Sequence, residues 1–147
     1  MDIVHSDATV SRLSVVIVGC GRLGSLAARR LYEAGSHVQV IDRSAASCGV
    51  LPPSLAAAAR IGDPLLPDVL RAGGIDEADC CLAATENDTL NAAVAMMCSR
   101  LFCVGLTLAC IADQPRARSY RRLGIDVLCT VELAAAKVVE RIRQIAV

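Results

Sequence analysis

Aromatic side chains are almost missing from this chain: two Tyr, one Phe and no Trp in 147 residues. Lys+Arg and Asp+Glu balance at 15 each. With neither stacking platforms nor a basic excess, a dedicated nucleic-acid binder is excluded. Long apolar runs are missing too. The longest, Leu101 to Ala112, is separated by Arg100 from the Ala92–Cys98 run, and a membrane span takes about twenty residues. Asp2, His5, Asp7 and Arg12 leave no signal peptide in the first residues. These absences predict a soluble, cytosolic protein with no direct membrane insertion.

Histidine is scarce (His5 and His37), and the eight cysteines form no Cys-x-x-Cys pair, so no zinc spacing exists. Most cysteines fall inside apolar strand or helix patterns and read as reduced, small buried hydrophobes. Cys20 stands apart, because a helix N-terminus lowers a thiol pKa. Its reading is an inert loop residue, with a redox role as the alternative. What the chain has in quantity is aliphatic bulk: hydrophobic residues make up 54%. That suffices for one domain with a real core, and the length leaves no room for a second of equal size.

The most informative stretch is Ser14-Val-Val-Ile-Val-Gly19-Cys20-Gly21-Arg22-Leu23-Gly24, with Asp42 closing the next apolar run. An apolar strand running into Gly-x-Gly-x-x-Gly at a helix start, then an acid at the next strand end, is the dinucleotide-binding fingerprint. Gly19 turns the chain tightly, Gly21 lets a pyrophosphate approach the backbone, and Gly24 lets helix and strand pack closely. The helix beginning near Arg22 aims free N–H groups and its positive dipole end at the phosphates. Asp42 can accept hydrogen bonds from both ribose hydroxyls of an adenosine, and its charge repels a 2′-phosphate, which disfavours NADP.

Strand and helix alternate along the rest. Residues 1–12 read as a loose, flexible N-terminal arm, and 13–147 as a single nucleotide-binding domain. Strands are predicted at Leu13–Val18, His37–Ile41, Asp79–Ala84, Leu106–Ala112 and Asp126–Cys129. Helices are predicted at Gly24–Ala34, Pro64–Arg71, Asn87–Arg100, Pro115–Leu123 and Val131–Val147. Ser44–Cys48 suits a short helix. Leu55–Ile61 is open between helix, favoured by its Ala run, and third strand, favoured by its place before Gly62-Asp63. About six alternations with short connections predict an α/β fold, a doubly wound parallel sheet of Rossmann-like type.

These blocks, in order and spacing, resemble the RCK (TrkA-N) domain, a cytosolic ligand-binding module regulating potassium channels and Trk/Ktr-type transporters. The matching residues are Gly19-Cys-Gly21-Arg22-Leu-Gly24, Asp42-Arg43, Gly62-Asp63-Pro64, Leu70 to Asp79, Ala83-Ala84-Thr85-Glu-Asn87-Asp88-Thr-Leu-Asn91 and Gly124-Ile-Asp126. The resemblance implies that Arg22 stands beside the phosphates; a cation in a helix's first turn opposes the dipole, which favours that role over a solvated one. It implies that Asp63 lies near the adenine edge, against a plain turn-forming role. Arg43 is either an adenine-stacking residue or solvated surface. Thr85, after Ala84, ends the fourth strand where ligands of open sheets bind, or else caps the next helix in competition with Asn87 and Asp88. Asn91 reads as structural.

The chain also departs from the family pattern. The basic residue usual after the fifth strand is replaced near Cys110 by Ile111-Ala112-Asp113. The proline and acid often following the sixth strand in ATP binders are replaced by Thr130 and Val131, with Glu132 one place on. NAD(H) is therefore the expected ligand, with ADP or ATP as alternatives. The C-terminal lobe of many relatives, and its extra ligand site, are expected to be absent. The implied function is a regulatory subunit whose partners are a membrane potassium transporter or channel and further copies, as homodimer or larger ring. The competing functions are an NAD-dependent oxidoreductase and a nucleotide or redox sensor unconnected to potassium. The first of these lacks a Tyr-x-x-x-Lys set, having only Lys137. Leu133, Ala134, Val138, Ile142 and Ile145 form a stripe on the last helix, with Val131, Ala135, Val139 and Ala146 apolar elsewhere. Either a second copy buries this surplus or the helix covers its own sheet.

Overall fold

The computed structural model describes residues 12–146, so the predicted arm lies outside the described residues apart from Arg12. The strand β1 (Ser14–Val18), apolar and buried on both faces over Val15–Val18, is the centre of the sheet. Around it stand β2 (His37–Asp42), β3 (Arg60–Ile61), β4 (Cys80–Ala83), β5 (Leu106–Ile111) and β6 (Val127–Cys129). All pairs are parallel, in the order β3-β2-β1-β4-β5-β6. The predicted doubly wound α/β sheet is the fold observed.

The helices are α1 (Arg22–Glu33), α2 (Pro53–Ala58), α3 (Pro67–Ala72), α4 (Asp88–Arg100), α5 (Gln114–Arg122) and α6 (Thr130–Arg143). The open segment Leu55–Ile61 proves to be both alternatives: α2 is followed after Ala59 by a two-residue β3. The short helix expected at Ser44–Cys48 is a 3₁₀ turn at Ala46–Val50. The predicted Pro64 start is displaced, because Pro67 occupies the first turn of α3. Both prolines suit that position, but Asp63 already forms a tight turn by accepting from Leu65 N at 2.9 Å.

Alternation along β1 splits the core. Val16 and Val18 pack with Leu70, Ile75, Val94 and Cys98 on the α3–α4 face, and Val15 and Ile17 pack with Ala28, Val40, Cys48 and Leu55 on the α1–α2 face. A third cluster joins Ala92 and Ala95 of α4 to Ala109, Ile111 and Ala117. Period-two side chains apolar on both sides are what a sheet covered by helices on both faces requires.

The cover is incomplete. Leu82, paired with both Ile17 and Leu108, lies on the α1–α2 face. Over the β4–β6 half of that face Leu82, Leu108 and Leu128 are only half-buried, and Leu106 is 42% exposed. The last helix does not close it, since α6 buries none of its residues.

Candidate functional site

The site begins where β1 ends. Gly19 turns with φ +103°, a conformation L side chains rarely adopt, and a Cβ there would stand 2.7 Å from Thr85 N and 2.8 Å from the Ala84 carbonyl. A Cβ on Gly24 would overlap the Gly19 carbonyl itself. Gly21 differs: nothing lies within 4 Å of where its side chain would be. Two of the three glycines thus let the protein pack on itself, and the third leaves backbone open to a ligand.

Asp42 holds the loop from the other side. Its Oδ2 accepts from Cys20 N at 2.7 Å and its Oδ1 from Ser44 N at 2.8 Å. Across the sheet Asn91 is fully buried. Its Oδ1 accepts from Thr85 N at 2.9 Å, and its Nδ2 donates to the carbonyls of Thr85 (2.9 Å) and Cys110 (2.8 Å). The structural reading of Asn91 is the one observed: it stitches the ends of β4 and β5 together. Asn87 caps α4, accepting from Leu90 N at 2.9 Å. Thr85 lines the cleft, but its hydroxyl is engaged by the protein, donating to Asn91 Oδ1 at 2.5 Å and accepting from Asn87 N at 3.2 Å.

The result is one cleft in two compartments along the carboxyl ends of the strands, where strand order reverses between β1 and β4. The first, about 300 Å³, is lined by Gly19, Asp42, Arg43, Ser47 and Pro64 among others. The second, about 260 Å³, is lined by Arg22, Leu23, Ala84, Asp88, Cys110 and Thr130 among others. Gly21, Thr85 and Glu86 belong to both. Arg22, Asp88 and Thr130 are the first residues of α1, α4 and α6, so three helix N-termini border the second compartment and favour an anion there.

Not every predicted site residue lines the cleft. Gly62 and Asp63 are not among its lining residues: Gly62 N donates to the Asp42 carbonyl at 2.9 Å, and its bare Cα makes room for Val69. Asp63 takes the turn-forming role and also pairs with Arg43 at 2.9 Å. The Leu65 N–H, then the Arg43 guanidinium, hold its carboxyl below the usual carboxylate range. Cys20 reaches the cleft region only through its backbone, because its side chain is buried among Val15, Ala28 and Cys48. Sequence reasoning missed Glu86, which extends the strand-end Ala84-Thr85 pair by one residue. It also missed Ser47, inside the segment whose pattern was least regular. Asp88 entered only as a cap candidate; its two oxygens accept from Ala112 N and Asp113 N, each at 3.0 Å, fixing the turn after β5.

The family model of the TrkA-N domain matches residues 15–131. The chain belongs to the TrkA-N family. It is 36% identical over 130 residues to the Trk system potassium uptake protein TrkA of Streptomyces coelicolor, covering 88% of this chain and 58% of that protein. A TrkA homolog from Methanothermobacter thermautotrophicus is 27% identical over 128 residues, covering 87% of this chain and 59% of that protein. This TrkA-N chain therefore spans a little over half the length of these curated relatives. Among solved structures, the TrkA-N domain of the inner membrane protein ybaL from Escherichia coli superposes with TM-score 0.76 at 16% identity, over 89% of this chain and 97% of that one. GsuK bound to ADP gives TM-score 0.71 at 24% identity, over 89% of this chain and 34% of that one. At those identities the likeness concerns the fold alone.

Burial, not the helix dipole, governs Cys20. Desolvation and the adjacent Cys48 push its thiol up to about 12, so thiolate forms only as pH approaches that value. The redox alternative loses its physical basis, since the thiolate is the reactive form. Alkylating the native protein at neutral pH should modify the exposed Cys103 and spare Cys20. Peptide mass spectrometry after iodoacetamide checks this, and early labelling of Cys20 would contradict it.

Proposed function

We propose that this chain is a nucleotide-binding regulatory domain that acts on a potassium transporter or channel, and that the ligand it senses is NAD(H). The observation carrying this reading is the bipartite cleft with the open backbone of Gly21 at its junction. An adenosine fits the first compartment with its ribose at Asp42. Each Asp42 oxygen accepts one backbone N–H and keeps a lone pair for a hydroxyl. The pyrophosphate crosses Gly21 towards the start of α1, and the distal half enters the second compartment. Of the residues lining that compartment, Arg22 is the cation, against Glu86 and Asp88. A triphosphate would therefore carry more charge than the wall balances.

An oxidoreductase role has less support. Lys137 pairs with Glu140 at 2.8 Å on α6 and lines neither compartment. The relatives named as Trk system proteins favour regulation of potassium uptake. Cells lacking this chain should lose control of potassium uptake when the nucleotide pool is altered. Unchanged rubidium or potassium fluxes would overturn the regulatory reading.

The support for assembly is α6 and the short turn after it, Gln144–Ala146. Val131, Ala135, Val138, Ile142 and Ile145 recur at four- and three-residue steps, while Leu133 falls off this stripe. Val131 is 52% exposed and Ile145 84% exposed, so the stripe is not used within the domain. The self-covering alternative fails on that observation. We infer that a second copy buries this stripe, together with the uncovered leucines of β4–β6. Light scattering at tens of micromolar, where an ordinary homodimer persists, should show at least a dimer, and Ile142→Glu should weaken it. A monomer under those conditions would sink the inference.

Ligand preference is read by calorimetry. NADH and NAD should bind more tightly than ATP. Asp42→Ala should weaken all of them by about 1–3 kcal/mol, the range for lost hydrogen bonds to a charged group. An ATP affinity far above both dinucleotides would overturn the preference, and unchanged binding would remove Asp42 from the site.

A further inference from the structure

Glu86 is the one wall residue that combines a net charge with a place in both compartments. It is exposed, and it enters no ion pair among the described residues. The neighbouring acid is different: both oxygens of Asp88 are engaged by backbone N–H groups, which disperse its charge. Glu86 therefore brings an uncompensated charge to the wall shared with Gly21, across which the phosphates of the proposed ligand pass.

Two influences meet in the second compartment. Arg22 and the first turns of α1, α4 and α6 attract negative charge. Glu86 repels it, and the repulsion grows with every charge the ligand carries. A dinucleotide's bridging pyrophosphate carries roughly half the charge of ATP's triphosphate, so the two are penalised unequally. We propose that Glu86 is a specificity-determining residue, a charge filter that admits dinucleotides and monophosphates and discriminates against nucleoside triphosphates. The proposal rests on the reading of the cleft as an adenine-nucleotide site and assigns the residue that sets its selectivity.

The test compares the parental protein with Glu86→Gln and Glu86→Lys by calorimetry, using NADH and ATP at low and high salt. An exposed side chain without a structural partner leaves the fold intact on substitution, which circular dichroism checks. In Glu86→Gln both ligands should bind more tightly, and the ratio of ATP to NADH affinity should rise about tenfold, the size of one removed charge a few ångströms away at a protein surface. Glu86→Lys should raise it further. Salt should narrow the parental discrimination, because exposed charges are screened. A ratio in both variants within about twofold of the parental one overturns the filter while leaving the cleft as a nucleotide site. A parental protein that binds neither NADH nor ATP overturns the underlying reading, and the filter with it.

Discussion

The close approach of β1's end to β4's end is the constraint on which the cleft depends. Gly19 lies so near Ala84 and Thr85 that no side chain fits between them, and Gly24 lies as near to Gly19. The glycine loop is therefore wedged between α1 and the end of β4. Its second glycine, Gly21, has open space where a side chain would stand and forms the bare ridge shared by two compartments. Substituting Gly19 or Gly24 would push apart the elements that make the ridge, whereas filling Gly21 would obstruct only what crosses it.

Polar side chains fix the rest of the rim, and each works by satisfying loop backbone groups. Asp42 takes N–H groups from Cys20 and Ser44, Asp88 from Ala112 and Asp113, and Asn91 both donates to and accepts from the backbone at β4 and β5. Strand ends of a parallel sheet leave such groups without ladder partners, and buried ones must find side chains or water. Asn91, fully buried with three backbone partners, shows the demand most plainly. A rim held by short charged or amide side chains is tied together without being filled. That leaves the hollow for something else.

Much of this was legible in the sequence, for local reasons. β1, α1 and β2 follow from an apolar run, spaced glycines and a terminal acid, and the structure realises all three within a residue or two. Asn87 was recognisable as a cap contender because its type and position suit one. The misreadings share a cause. Pro64 and Pro67 are equivalent as helix starters by sequence, and only the Asp63 turn decides between them. Cys20 sits before a helix, but whether its thiol faces the helix terminus or the core depends on Cys48, twenty-eight residues away and near in space. Glu86 escaped notice because its importance arises from two hollows meeting, which no sequence spacing encodes.

The last helix starts at the cleft. Thr130 is at once the first residue of α6 and part of the second compartment's wall. Its first turn is tied to α5 by Arg121 and Glu132 at 3.1 Å, a pair too exposed to contribute much energy. Beyond that turn α6 buries nothing within its own domain. A helix with so little intramolecular packing takes its direction from its N-terminal anchorage. Thr130 therefore belongs both to the wall of the second compartment and to a helix that buries none of its residues.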